Sequence, residues 1–142
     1  MGRTLLRPGA GPQRVTVRVA ADAAEVRARR RDWVDQGTEY VHSASAGRIG
    51  YVHVPDMYST GYADFVRGFL TELDREALLV DVRFNGGGHI SPLLLDRLTR
   101  RRAGAEHGRW SGPAPYPLEA PNGPMALLVN EHTGSDGEIF SQ

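Results

Sequence analysis

Met125-Ala126-Leu127-Leu128-Val129-Asn130-Glu131-His132-Thr133-Gly134-Ser135-Asp136-Gly137-Glu138-Ile139-Phe140 is the stretch on which the fold of this chain turns. The apolar run Met125 to Val129 lacks the alternation of a half-exposed strand and predicts a strand buried on both faces. Gly134 and Gly137 bracket a sharp turn into a helix start. Ser135 stands at the mouth of that helix, where the first backbone N–H groups have no internal partner and carry partial positive charge. Such donors suit a developing oxyanion, and a serine on a tight strand-to-helix turn is pushed out of the sheet, as in a nucleophile elbow. The same residues also fit a plainer arrangement, in which Ser135 or Asp136 is an N-cap and the glycines only shape the turn.

A second stretch of the same kind lies upstream. Ala77 to Val82 reads as another buried strand and runs into Arg83-Phe84-Asn85-Gly86-Gly87-Gly88-His89. Consecutive glycines leave the backbone amides uncovered, so a ligand carbonyl can approach the chain closely. Side by side, the two turns supply the parts of an acyl-transfer site. Ser135 Oγ is the candidate nucleophile, the N–H groups of Asp136 and Gly88 are the candidate oxyanion donors, and Gly87 is a candidate contact for the substrate. Phosphate binding is the competing use of a glycine-rich loop, but neither Gly-Lys-Ser nor Gly-x-Gly-x-x-Gly is present.

The rest of the chain supplies an α/β framework. Residues 1–13, rich in Gly, Pro and Arg, read as an irregular lead-in or a cut domain edge. Residues 14–19 alternate as a half-buried strand for which nothing upstream offers a partner. Asp22 and Glu25 have capping-box spacing, and the pattern predicts a helix from Ala23 to Gln36 that resumes near Tyr40. Arg48 to Pro55 is a strand by its β-branched content. Ser59 or Thr60 caps the next helix, in which Tyr62, Phe65, Val66, Phe69, Leu70 and Leu73 recur at helical intervals. Ser91-Pro92 opens a helix that runs to about Arg102, and Gly108 to Pro124, with five prolines, reads as an extended surface loop. Strands alternating with helices predict a parallel sheet, in which ligands bind past the carboxyl ends of the strands. Both glycine turns lie past such ends.

Composition bounds the function. The chain has 142 residues, no cysteine, 17 basic residues against 17 acidic ones, and no lysine, since every basic residue is arginine. That is one soluble, intracellular-type domain's worth of chain without a disulfide framework. Zero net charge and the lack of a long apolar run argue against nucleic acid, a membrane span or a secretory signal as partners or addresses. The arginine clusters at 27–31 and 100–102 read as solvated helix faces. No pair of histidines has ligand spacing on one element, so neither a metal nor another cofactor is expected. His42, His53 and His107 read as a surface, a strand and a loop residue. His89 and His132 flank the two turns, but a histidine on the nucleophile's own turn is badly placed to reach its Oγ.

Arg48-Ile-Gly-Tyr-Val-His-Val-Pro-Asp-Met57, Val80-Asp-Val-Arg-Phe-Asn-Gly-Gly-Gly88 and Asn130-Glu-His-Thr-Gly-Ser-Asp-Gly-Glu-Ile-Phe140, in that order, resemble the tail-specific serine proteases, with the tricorn branch closest. The resemblance covers residues from about 15 to the end. It implies that residues 1–20 are the C-terminal edge of a PDZ-like domain, 21–46 a helical connector, and 47–142 a truncated catalytic domain of the ClpP/crotonase-like α/β fold. It puts the nucleophile on Ser135, the oxyanion amides on Gly88 and Asp136, and an acidic residue that favours substrates with a basic side chain on Glu106. Oligopeptide substrates, a cytoplasmic location and a homo-oligomeric full-length protein are implied as well. The family's base and the residue that orients it fall outside residues 1–142, so this chain is expected to be an internal piece, inactive and only marginally stable alone. Two other functions fit the same residues: a non-catalytic peptide-binding or assembly module, and a crotonase-type acyl-CoA enzyme, which gives no reason for a serine at this turn.

Overall fold

The computed structural model of the protein describes the strands at residues 2–5 and 13–16, and residues 21–142. The chain divides into two compact units, residues 1–34 and 35–142.

In the first unit, β1 (Gly2–Leu5) pairs antiparallel with β2 (Gln13–Thr16), Gly2 opposite Thr16 and Leu5 opposite Gln13. This corrects the expected irregular lead-in, and the strand expected at 14–19 has an upstream partner. The Gly and Pro content of residues 1–13 hid β1, because both residue types are depleted in strands. Residues 17–19 of the expected strand lie outside the described residues. The helix α1 (Asp22–Ala44) is unbroken where two pieces were expected, with Asp22 and Glu25 in its first turn, the favourable end for negative charge. Within the second unit, Gly37 lies against the ring of Tyr51: a Cβ there would sit 3.2 Å from Tyr51 Cζ. Glycine in mid-helix is thus a close-approach residue, not a helix end.

The core of the second unit is a parallel sheet in the order β3 (Ile49–His53), β4 (Ala77–Asp81), β7 (Met125–Leu128). Its register sets His53 beside Asp81 and Asp81 beside Leu128, so the three strands end level with one another. Between β3 and β4 runs α2 (Ser59–Glu72), whose Phe65 and Phe69 are fully buried and stacked at 5.3 Å. Its expected cap by Ser59 or Thr60 is absent: Asp56 Oδ1 instead accepts the N–H groups of Tyr58 at 2.9 Å and Gly61 at 3.1 Å. Val52, Val54, Met57, Val80, Val82 and Leu94 complete the centre of the core.

Between β4 and β7 the chain departs from expectation twice. First, α3 (Ser91–Leu98) stops short of Arg102, and the arginines beyond it pair with acidic residues, Arg100 with Asp96 and Glu119 and Arg102 with Asp74. Second, the expected loop holds a hairpin of β5 (Gly104–His107) and β6 (Pro113–Tyr116). Pro113 and Pro115 alternate in β6, so both missing N–H groups fall on the edge away from β5. β7 also corrects its expectation of burial on both faces. It is the outer strand of the sheet among the described residues, and Met125 and Val129 are 44% and 53% exposed. No helix among the described residues is long and apolar enough to cross a membrane.

Candidate active site

The level ends of β4 and β7 bring the glycine turn and the serine turn together. Ser135 has φ 54° and ψ −128°, a backbone conformation unusual for a residue with a side chain, and it immediately precedes α4 (Asp136–Phe140). The side chain is exposed. Gly87, at φ 91°, packs directly under it: a Cβ on Gly87 would lie 2.5 Å from Ser135 Cβ and 3.1 Å from the Asp136 nitrogen. Gly88, at φ 149°, is pressed against the chain after β3, where a Cβ would meet Met57 O at 2.1 Å. The Met57 N–H donates to Gly87 O and its carbonyl accepts the His89 N–H, both at 2.9 Å. This bridge leaves the Gly88 N–H pointing away from Met57. Among the described residues no hydrogen bond occupies the Gly88 or Asp136 N–H, the two amides expected to be open.

Side chains fix both turns. The Asp136 carboxylate accepts the Ser91 N–H at 3.0 Å and the Ser91 hydroxyl at 2.5 Å, so Asp136 presents its backbone amide at the turn while its carboxylate ties α4 to the start of α3. On the far side of the serine turn, Thr133 Oγ1 donates to Val82 O at 2.8 Å and Asn130 Oδ1 accepts the Phe84 N–H at 3.0 Å. Asn85, fully buried, joins the two turns: Gly134 N–H donates to its carbonyl at 3.0 Å and Gly87 N–H to its Oδ1 at 2.8 Å. Asn85 was missed in the sequence, where an Asn before glycines reads as a turn residue, and only its position at the end of a buried strand hinted at more.

The remaining candidates sit apart from this contact. Glu106 is exposed on β5 and makes no hydrogen bond or ion pair with either turn among the described residues. His89 packs edge-on to Tyr58 at 5.4 Å, and His132 stacks on Phe84 at 5.4 Å. Neither histidine is hydrogen-bonded to Ser135.

Just behind the site, Asp81 is fully buried at the end of β4, where it accepts the Tyr51 hydroxyl at 2.6 Å and Arg83 Nη2 at 2.6 Å. Burial opposes its charge, but the Arg83 guanidinium, the Tyr51 hydroxyl and the Arg83 N–H outweigh burial and hold its carboxyl below the usual range. Burial and the Asp81 carboxylate push the Tyr51 phenol well above its ordinary value. A carboxyl whose folded value is depressed stabilises the fold above its unfolded value, about pH 4, and that contribution is lost as pH falls through the folded value. In urea melts of the 142-residue chain we therefore expect Asp81→Asn to lie below the wild type at neutral pH by about 3 kcal/mol, a typical loss on breaking a buried pair. The gap should close on acidification below about pH 4. A gap of constant size across that range would show that the charge of Asp81 is not what stabilises.

An α/β sheet carries a strained, exposed serine beside a glycine turn, and the chain belongs to Peptidase family S41, whose sequence model matches residues 48–142. Within it, the chain is 47% identical over 113 residues to the tricorn protease of Thermoplasma volcanium, covering 80% of this chain and 11% of that protein. It is 47% identical over 129 residues to the tricorn protease homolog of Saccharolobus solfataricus, covering 91% of this chain and 12% of that protein. The crystal structure of the tricorn protease superposes with a TM-score of 0.89 at 38% identity, over 99% of this chain and 14% of that one. The chain thus spans about an eighth of the length of the relatives it matches.

Proposed function

We propose that this chain is the nucleophile-bearing part of a longer, tricorn-like serine peptidase that cleaves oligopeptides. Residues 47–142 then form part of a crotonase-like catalytic domain, 21–46 its connector and 1–20 the edge of a PDZ-like domain. The observation that supports the reading is the packing of Gly87 against Ser135: a Cβ on Gly87 would lie 2.5 Å from Ser135 Cβ and 3.1 Å from the Asp136 nitrogen, and Gly88 is the next residue of that turn. In acylation, Ser135 Oγ attacks the peptide carbonyl carbon as its proton passes to a general base. The carbonyl oxygen takes up negative charge facing the Gly88 and Asp136 N–H groups. The C–N bond then breaks, the amine leaves with the proton returned by the base, and water releases the acyl group by the same route. The family resemblance assigns the general base to a segment outside residues 1–142, and on that reading the chain alone is inactive; among the described residues no histidine or carboxylate is hydrogen-bonded to Ser135 Oγ. Glu106, exposed on β5, is the residue assigned to basic side chains of the substrate.

A fluorophosphonate probe tests this in the full-length protein. Covalent labelling of Ser135 that disappears in Ser135→Ala is expected, together with loss of peptide hydrolysis on the order of 10⁶-fold, as for removal of other serine nucleophiles. A folded full-length protein that stays unlabelled, and that binds peptides without cleaving them, refutes the peptidase and assigns a binding module. Glu106→Gln is expected to raise KM for peptides with arginine before the scissile bond by about two- to fivefold and to spare those with leucine, as loss of one exposed charge contact of ~0.5–1 kcal/mol predicts. Equal effects on the two substrates would show that Glu106 does not select basic side chains.

A further inference from the structure

We infer that Asn85 is a positioning residue for the oxyanion hole, holding the two amide-bearing turns in one frame; the inference rests on the peptidase reading of Ser135. Asn85 is fully buried, and all four of its polar groups are used. Its Nδ2 donates to Val54 O at 2.9 Å, and its Oδ1 accepts the Gly87 N–H at 2.8 Å. Its main-chain carbonyl accepts the Gly134 N–H at 3.0 Å and its own N–H donates to Val82 O at 3.1 Å. One residue thus ties together the segment after β3, the glycine turn and the serine turn.

The bonds constrain the residues that bear the open amides. A bond to Gly87 N–H fixes the peptide plane just before Gly87, one residue from the Gly88 donor. A bond to Gly134 N–H fixes the turn two residues before the Asp136 donor. A carboxamide suits the place because it offers a donor and an acceptor on one rigid plane. A carboxylate offers no donor to Val54 O, and a hydroxyl is too short to serve both partners. The room is also matched: a Cβ on Gly137 would lie 2.9 Å from Asn85 Oδ1, so the first turn of α4 closes directly over the carboxamide. Asn85 itself does not touch the reacting atoms. It acts through the N–H groups of its neighbours, and an oxyanion hole depends on donors held in place before charge develops.

A positioning role predicts a loss in the transition state rather than in substrate binding. In the full-length protein, with a fluorogenic peptide, Asn85→Ala is expected to lower kcat by about 10²-fold, the effect of losing one oxyanion donor, with KM little changed. Affinity for a peptide boronate, which places an oxygen in the hole, should fall with kcat/KM, while binding of the uncleaved peptide in a Ser135→Ala background should stay the same. Gly137→Ala, which crowds the carboxamide without removing it, should show the same pattern more weakly. Should Asn85→Ala fail to fold, Asn85→Ser carries the test, because its hydroxyl keeps a polar group in the site but is too short to serve both Val54 O and the Gly87 N–H. If Ser135 is labelled by fluorophosphonate in the wild type and the folded Asn85 variants keep wild-type kcat and boronate affinity, Asn85 is merely structural and the inference is overturned while the peptidase stands. If the wild type itself shows no Ser135-dependent labelling, both fall together.

Discussion

Gly87→Ala is expected to reduce fluorophosphonate labelling of Ser135 and kcat/KM in the full-length protein by at least about 10³-fold, the upper range for loss of a single oxyanion donor. The added methyl has nowhere to go. It would lie 2.5 Å from Ser135 Cβ and 2.9 Å from Gly134 O, both in the turn that carries the nucleophile. Gly87 also has φ 91°, where a side chain is strained regardless of space. Relief requires the two turns to separate, which moves the Ser135 hydroxyl and the Asp136 N–H away from the Gly88 N–H at once. The same strain should cost about 1–3 kcal/mol of stability, less than total unfolding of a domain. Gly86→Ala in the same turn is the informative comparison, because a Cβ there meets nothing within 4 Å. We expect it to keep most of the labelling. Equal losses at the two glycines would mean that the turn needs flexibility rather than contact, and the convergence of the turns would lose its functional meaning.

The parallel arrangement of β3, β4 and β7, the apolar stripe of α2 and the identity of both turns are legible in the sequence because each depends on local pattern. What escaped depends on neighbours. β6 reads as loop because proline is a poor strand residue in general, yet alternate prolines are harmless when their missing donors face away from the partner strand. The apolar run of β7 reads as buried, but apolarity records what a strand can bury and not whether anything lies beside it, and β7 is an edge strand among the described residues. Gly37 reads as a helix break because nothing local reveals that Tyr51 lies against it. At the site, glycines mark where close approach occurs, so Gly87, Gly88 and Ser135 stand out. Asn85 and Ser91 do not, because their work is done by hydrogen bonds to residues 31 and 45 positions away. The role of Glu106 comes from the family resemblance alone, and its exposed position on β5 is compatible with many roles.

Phe65→Ala is expected to have the largest effect on stability, lowering the unfolding free energy of the 142-residue chain by about 3–5 kcal/mol in urea titrations. Phe65 is fully buried in the middle of α2, stacked on Phe69 at 5.3 Å, and both rings sit in the cluster that covers β3 and β4. Truncation leaves a cavity of ring size between a helix and a sheet that has three strands among the described residues, and a closely packed interior relaxes into such a cavity only in part. Folded domains of this size are stable by about 5–15 kcal/mol, so a loss at the top of the range is enough to unfold a marginal one. Phe65→Leu, which keeps most of the volume, should cost less than half as much. A loss below about 1 kcal/mol for the alanine variant would contradict close packing of α2 on the sheet. The consequence reaches the site through the strand ends. Val54 follows β3 and Asn85 follows β4, and the hydrogen bond between them joins the segments that leave the two strands. In the full-length protein, labelling of Ser135 in the Phe65→Ala variant should therefore fall in proportion to the unfolded fraction and return at low temperature, whereas the deficit in Gly87→Ala should persist in fully folded protein.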